Sequence, residues 1–177
     1  MAKLVKPSLE LTLAILKPNI ANRPLEIECL RRLLLGNNYY FVKTKRTKLT
    51  KEKAEEFYQE HEGKFFYNRL VTFMASDNIW IHILARENAI RHWRQLMGPT
   101  KVFRTILEAP TCLRAEYGLT DTRNSFHGSD SPETVKKEVE FFFPEFNMEA
   151  WQGDQLSLFQ SGQAVLDTSL WEHRPPL

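Results

Sequence analysis

In the stretch LELTLAILKPN, Leu9, Leu11, Leu13 and Ile15 alternate with less apolar neighbours, the period-two signature of a half-buried strand. Lys17 has the same parity and belongs to the core-side face. A helix follows, with Pro24 in its first turn, a stripe of Ile27, Leu30, Leu33 and Leu34, and a stop at Gly36-Asn37-Asn38. YYFVKTKRTKL reads as a second strand. Thr50 suits the N-cap of a helix carrying Ala54, Phe57, Tyr58 and His61 at helical spacing, which Gly63 interrupts. A further helix begins near Phe65, with a stripe of Phe66, Leu70, Phe73 and Met74; Phe66 and Leu70, four apart, share a side. IWIHILA is a third strand and ENAIRHWRQLMG a helix ending at Gly98-Pro99. Residues 99–122 keep no single period and read as a long loop, of the length usually tied to function. RNSFH can form a short strand, after which Ser131 and Pro132 open a helix bearing Val135, Val139, Phe142 and Phe143.

This order predicts a two-layer α+β sandwich with a helical hairpin inserted between strands two and three. The chain of 177 residues suffices for one domain. That domain is expected over 11–151, between an N-terminal extension at 1–10 and a tail at 152–177. The tail is rich in Gln, Ser, Gly and Asp, ends in Arg-Pro-Pro-Leu, and is expected to be free or loosely docked.

Charge narrows the partners. Twenty-four Lys and Arg against 22 Asp and Glu leave +2, no field that argues for nucleic acid or a membrane surface. No apolar run approaches the ~20 residues of a membrane span. Two cysteines, Cys29 and Cys112, lie far apart with no CxxC spacing, which fits a reducing compartment. The start lacks the apolar region of a secretory signal, while Lys3 and Lys6 before the first acid are compatible with a short organelle-targeting start.

The chemistry concentrates in RNSFHGSDSPE, residues 123–133. Histidine has an unperturbed pKa of ~6.5, so much of the imidazole is unprotonated at neutral pH and can accept a phosphoryl group without a separate base. It then needs one ring nitrogen aimed at the substrate and the other held by a partner. Gly128 lets the backbone approach closely, and Ser129, Asp130 and Ser131 supply hydroxyls and a cap where the next helix begins. Glu138, about two turns into that helix, is the natural orienting acid.

Asn124, two spacers, then His127-Gly128-Ser129-Asp130-Ser131 resembles the active-site signature of the nucleoside diphosphate kinases. LAILKPN resembles that family's strand-one lysine motif, EHEGKFFYNRLVTFM its nucleotide-clamp hairpin and WRQLMGPT its phosphate-binding helix end. The wording of EHEGKFF, MGPT and YGLTDTRN is most similar to the divergent sixth-type branch. The resemblance covers roughly residues 11–151. It implies a ferredoxin-like βαββαβ antiparallel sheet with helices on one face, the inserted hairpin and the long loop before the catalytic strand.

The resemblance also implies site roles. His127 would be the nucleophile that becomes a pros-phosphohistidine, Glu138 its partner and Ser129 a support of the histidine network. Lys17 would reach phosphates and sugar hydroxyl, Asn124 the sugar hydroxyl, Tyr58 and Thr100 the phosphates. Phe66 and Leu70 would sandwich the base, and Arg94 and Arg114 would grip the phosphates as planar cationic forks. The implied reaction is ping-pong transfer from a nucleoside triphosphate such as ATP to a diphosphate, tolerant of base because stacking reads a π-face that every base has. Mg²⁺ is expected to arrive with the nucleotide phosphates rather than on a protein metal site.

RNA-recognition domains share the βαββαβ order, but their K/R-G-F/Y-G/A-F-V-x-F/Y motif is missing and no nucleic acid partner is expected. Two departures matter. Asn19 stands where the common family form usually has Asp after Lys-Pro, and the Thr100-to-Arg114 stretch is longer than in that form. The family uses that stretch in subunit contacts, so a homo-oligomer or a protein partner, and a weakly active or partner-dependent scaffold, stand as alternatives. The branch implies mitochondria, with the cytoplasm as the alternative.

Overall fold

The computed structural model describes residues 8–176; the N-terminal lysines Lys3 and Lys6 lie outside them. Four strands form one sheet: β1 (Glu10–Leu16), β2 (Tyr40–Lys48), β3 (Asn78–Arg86) and β4 (Phe126–Gly128). Their order is β2-β3-β1-β4, with every neighbouring pair antiparallel. Alternation places Leu11, Leu13 and Ile15 on one face of β1 and Ala14 and Leu16 on the other, and both sets are buried. This is the ferredoxin-like α+β sheet with its two crossovers.

The crossover helices α2 (Pro24–Gly36) and α5 (Ala89–Met97) share a face, where Ile27, Leu30, Leu34, Trp93 and Met97 meet Leu16, Phe41 and Phe126. Between β1 and α2 lies a single helical turn, α1 (Pro18–Ala21). The hairpin of α3 (Lys51–Phe57) and α4 (Tyr67–Met74) covers the opposite face together with α8 (Pro132–Phe142), through Ala54, Val71, Met74, Val135 and Val139. This third layer is not visible in the alternation of β1, because Thr12 looks like a solvent position yet is wholly buried.

Local signals place the helix starts. Thr50 Oγ1 accepts from Lys53 N at 3.2 Å and Ser131 Oγ from Thr134 N at 3.1 Å, each satisfying an orphan first-turn donor. The first hairpin helix is shorter than its stripe suggests: it ends at Phe57, and His61 sits in a separate 3₁₀ turn, Gln59–His61.

Two further expectations are corrected. Residues 99–122 are not a bare loop but carry α6 (Val102–Glu108) and α7 (Leu113–Tyr117). Seven and five residues are too few turns to print a period, and Phe103 and Leu107 of α6 are exposed. Nor is the tail loosely docked: Phe159 of α9 (Leu156–Gln160) is 1% exposed, and the hairpin of β5 (Val165–Asp167) and β6 (Glu172–Arg174) lies beside β2.

Candidate active site

The residues nearest the histidine meet at strand ends, where sheet order rather than chain order sets neighbours. Ile15 faces His127 across the β1–β4 ladder and Leu16 faces Phe126, so Lys17 leaves β1 beside the start of β4. Trp93 on α5 donates from Nε1 to the His127 carbonyl at 3.0 Å, pinning β4 from below. Gly128 has to be glycine for contact rather than conformation: a Cβ there would lie 2.5 Å from Trp93 Cδ1 and 2.8 Å from Met97 Cε.

The His127 ring is held at one nitrogen. Nε2 lies 2.9 Å from Glu138 Oε1 and 3.0 Å from Oε2. A carboxylate only accepts, so Nε2 carries the proton and donates, and in the neutral ring Nδ1 is left with its lone pair. Ser129, wholly buried, donates from Oγ to Glu138 Oε2 at 2.7 Å and fixes that carboxylate in turn. The edge of Phe57 packs on the ring at 5.2 Å between centroids.

Around the start of β4 stand three cations, two of them buried with no carboxylate partner among the described residues. Lys17 is 5% exposed and its Nζ donates to Asn124 Oδ1 at 2.8 Å. Asn124 donates in turn to the carbonyls of Thr100 and Asp121. Arg114, 7% exposed, donates to the carbonyls of Gly98 at 2.7 Å and Phe126 at 2.9 Å, while its Nε has no partner. Arg94 reaches the Gly128 carbonyl at 3.3 Å.

Among the described residues neither buried cation faces a carboxylate within ion-pair distance. Burial, helped by Arg114, lowers Lys17 to about 7. Burial, helped by Arg94, lowers Arg114 to about 10. A drop of that size for Lys17 corresponds to on the order of 5 kcal/mol against the charged form. One neutral hydrogen bond contributes only about 1 kcal/mol, so Asn124 does not offset it. An anion does.

Burial, and next the charge of Glu138, push the Tyr58 phenol up, and its hydroxyl is buried without a partner. Phe66 and Leu70 are half-buried on the hairpin. They have no hydrogen bond to the His127 cluster but connect to it by rings: His127 to Phe57, Phe57 to Tyr58 at 4.9 Å, Tyr58 to His61 at 6.0 Å, and His61 to Phe66 at 5.6 Å. Thr100 enters through its carbonyl, its residue being exposed. Among the described residues no group of three or more His, Cys, Asp or Glu side chains is placed to hold a metal ion, and no helix is long and apolar enough to cross a membrane.

Trp93, Phe57 and Ser125 were not legible as site residues. Trp93 reads as core, Phe57 as part of a helical stripe, and Ser125 as a spacer; helix packing on the sheet brings the first two to the histidine, and strand register the third.

The ferredoxin-like sheet, the held imidazole and the two buried cations without carboxylate partners are suited to a phosphate-bearing substrate. The sequence profile described as nucleoside diphosphate kinase matches residues 10–148, and the chain belongs to the nucleoside diphosphate kinase family, as an enzyme of it. Its branch is that of nucleoside diphosphate kinase 6. The chain is 49% identical over 155 residues to nucleoside diphosphate kinase 6 of Danio rerio, covering 88% of each. It is 45% identical over 170 residues to that of Xenopus tropicalis, covering 96% of this chain and 94% of the relative. It is 46% identical over 148 residues to that of Homo sapiens, covering 84% and 80%. The crystal structure of Aquifex aeolicus nucleoside diphosphate kinase superposes with a TM-score of 0.71 at 34% identity, covering 77% of this chain and 96% of that one. The enzyme of Encephalitozoon cuniculi, at 24% identity and a TM-score of 0.69, shows the shared fold alone.

Proposed function

We propose that the chain moves the γ-phosphoryl group of a nucleoside triphosphate to a nucleoside diphosphate in two displacements on His127. The observation that carries the reading is the pairing of a ring whose Nε2 is held by Glu138 with two buried cations that have no counter-ion. A triphosphate supplies the missing charge and presents phosphorus to the free Nδ1.

In the first displacement the Nδ1 lone pair attacks the γ-phosphorus, the bond to the bridging oxygen breaks, and the diphosphate leaves with that electron pair. The product is an Nδ1, or pros, phosphohistidine whose Nε2–H stays on Glu138. The ring becomes cationic as the bond forms, and the Glu138 carboxylate stabilises that charge. Ser129 keeps the carboxylate from rotating. In the second displacement a terminal oxygen of a diphosphate attacks the same phosphorus and the Nδ1–P bond breaks, restoring the free ring.

Catalysis of this kind asks mostly for positioning and charge stabilisation. Lys17, Arg94 and Arg114 supply the charge, with Tyr58 and Thr100 on the phosphates and Asn124 on a sugar hydroxyl. Phe66 and Leu70 hold the base. The nucleotide enters as its Mg²⁺ complex, the ion keeping waters and phosphate oxygens as ligands.

The test is incubation with Mg²⁺ and γ-labelled ATP, followed by denaturation and mapping of the label. An acid-labile, base-stable phosphate on His127, discharged by added nucleoside diphosphate, is expected. Label that survives His127→Ala, or no label on the intact chain, overturns the mechanism.

A further inference from the structure

We propose that Ser125 and Asn19 are positioning residues that decide which side chain meets Lys17, and so set the grip on the nucleotide sugar; this rests on the sugar-contact role proposed above for Lys17 and Asn124. The starting observation is the backbone. Ser125 has φ +73°, in the left-handed region that a non-glycine residue rarely enters, and it is wholly buried directly before β4.

Strand register says what this turn changes. His127 faces Ile15 and Phe126 faces Leu16, and the Lys17 N–H donates to the Ser125 carbonyl at 2.8 Å, so Lys17 and Ser125 stand opposite each other. In a regular antiparallel ladder, directly opposed residues point their side chains to the same face. An extended Ser125 would therefore bring its own short hydroxyl to Lys17. The left-handed turn diverts it, and the preceding Asn124 supplies the Oδ1 that takes the Lys17 ammonium at 2.8 Å. The same turn explains why β4 starts at Phe126 rather than at Arg123, where the expected short strand RNSFH begins.

The diverted hydroxyl is locked. Ser125 Oγ donates to the Tyr117 carbonyl at the end of α7 at 2.8 Å. Having used its one proton, the oxygen accepts from Asn19 Nδ2 at 2.6 Å. The second Nδ2 proton points to the same Tyr117 carbonyl at 3.4 Å. Carbonyl and hydroxyl acceptors on that side fix the amide orientation, since a flipped Asn19 would set Oδ1 against the Tyr117 carbonyl. The three groups tie α1, α7 and the turn before the catalytic strand into one knot. An aspartate at position 19 has no proton to donate, so it would draw the Ser125 proton off the Tyr117 carbonyl and set a carboxylate oxygen against that carbonyl. Asparagine is the residue that suits a serine at 125.

Ser125→Gly separates the lock from general stability, because glycine adopts φ +73° freely and the variant keeps its fold while losing the hydroxyl. Two readouts are taken on the full chain: its crystal structure, and binding of ATP against 2′,3′-dideoxy-ATP by calorimetry, with kcat and KM for both. The proposal expects Asn124 to leave the Lys17 ammonium and the preference for ATP over the dideoxy analogue to fall about tenfold, with the chain still unfolding in one cooperative transition. Asn19→Ala should show the same loss of preference, and Asn19→Asp should fail to rescue it. Asn124 staying on Lys17, or an unchanged preference, overturns the proposal. If the unaltered chain neither binds nor turns over nucleotide, the proposed function fails instead, and the Asn124 position in the variant crystal still decides the lock.

Discussion

Lys17 is the residue at which fold and chemistry pull against each other most plainly. The fold buries it beside Arg114 and gives it one neutral acceptor, so its proton is held only to about pH 7. A phosphate chain arriving in the site reverses the balance and raises that value. Nucleotide binding is therefore expected to draw in up to one proton between pH 7 and 9, read by calorimetry in buffers of different ionisation enthalpy. Affinity should weaken as pH rises above 7, because the free lysine must first be recharged. Binding without proton uptake in Lys17→Met, and with it in the unaltered chain, assigns the proton; equal uptake in both refutes the assignment. The sign for folding is opposite. The unfolded lysine keeps its proton to about 10.4, so this group makes the empty chain more stable as pH rises through 7. Glu138→Gln addresses the neighbouring ring: the imidazolium-like charge would lose its carboxylate, and phosphoenzyme formation should slow on the order of 10²-fold, as for loss of one preorganised electrostatic partner. A rapid-quench time course reads this directly, and an unchanged rate would remove Glu138 from the mechanism.

At the scale of elements, the strands and the capped helices were legible because each is specified locally. Thr50 and Ser131 announce α3 and α8 by the hydroxyls that accept from Lys53 N and Thr134 N. The Gly98-Pro99 stop after α5 is equally direct: Gly98 has φ +80°, and a Cβ there would meet Cys112. What the sequence hides is structure held by contacts remote in the chain. α6 and α7 carry too few residues for a period, and α7 matters because Arg114 and the Tyr117 carbonyl leave its ends for the site. The candidate chemistry was legible through the Asn124-to-Ser131 pattern, while the packing that aims it was not. Gly128→Ala tests that packing. The new methyl must displace Trp93 or Met97, at a cost typical of overpacking, about 1–3 kcal/mol, and it disturbs the Trp93 bond to the His127 carbonyl. Chemical denaturation should show the stability loss, and the rate of phosphohistidine formation should fall with it. Full stability and rate in this variant would mean that α5 does not press on β4 as described.

At the scale of the whole molecule, the tail closes the β2 edge of the sheet. β2 is an edge strand, and unpaired edge N–H groups invite pairing with other chains. Here side chains of the tail take them. The Phe41 N–H donates to His173 Nδ1 at 2.9 Å and the Thr44 N–H to Glu172 Oε1 at 3.0 Å, on either side of the bulge between Phe41 and Lys43. Thr44 Oγ1 donates to the Trp171 carbonyl at 2.7 Å and so accepts from His82, which sits wholly buried behind it. Arg31 lies over the Trp171 ring at 4.4 Å. His173 has to be neutral to accept, and burial lowers it. Burial, with Arg31, lowers His82 to about 3. Both histidines therefore favour the fold fully above about pH 6.5, and their contribution drains as pH falls below it, since the unfolded chain takes up protons that the native one refuses. Truncation before Gln163 isolates the effect. It removes the two edge acceptors and the Trp171 contact, roughly 3 kcal/mol at one to two per hydrogen bond, which for a chain of this size lowers Tm by about 10 °C. The truncated chain should lose the His173 part of the acid sensitivity and some of the His82 part, because His82, now nearer solvent, titrates closer to its ordinary value. Sedimentation should also find concentration-dependent association through the bared edge of β2. A truncated chain with the same Tm, the same pH profile and no association would mean that the tail merely rests on the sheet.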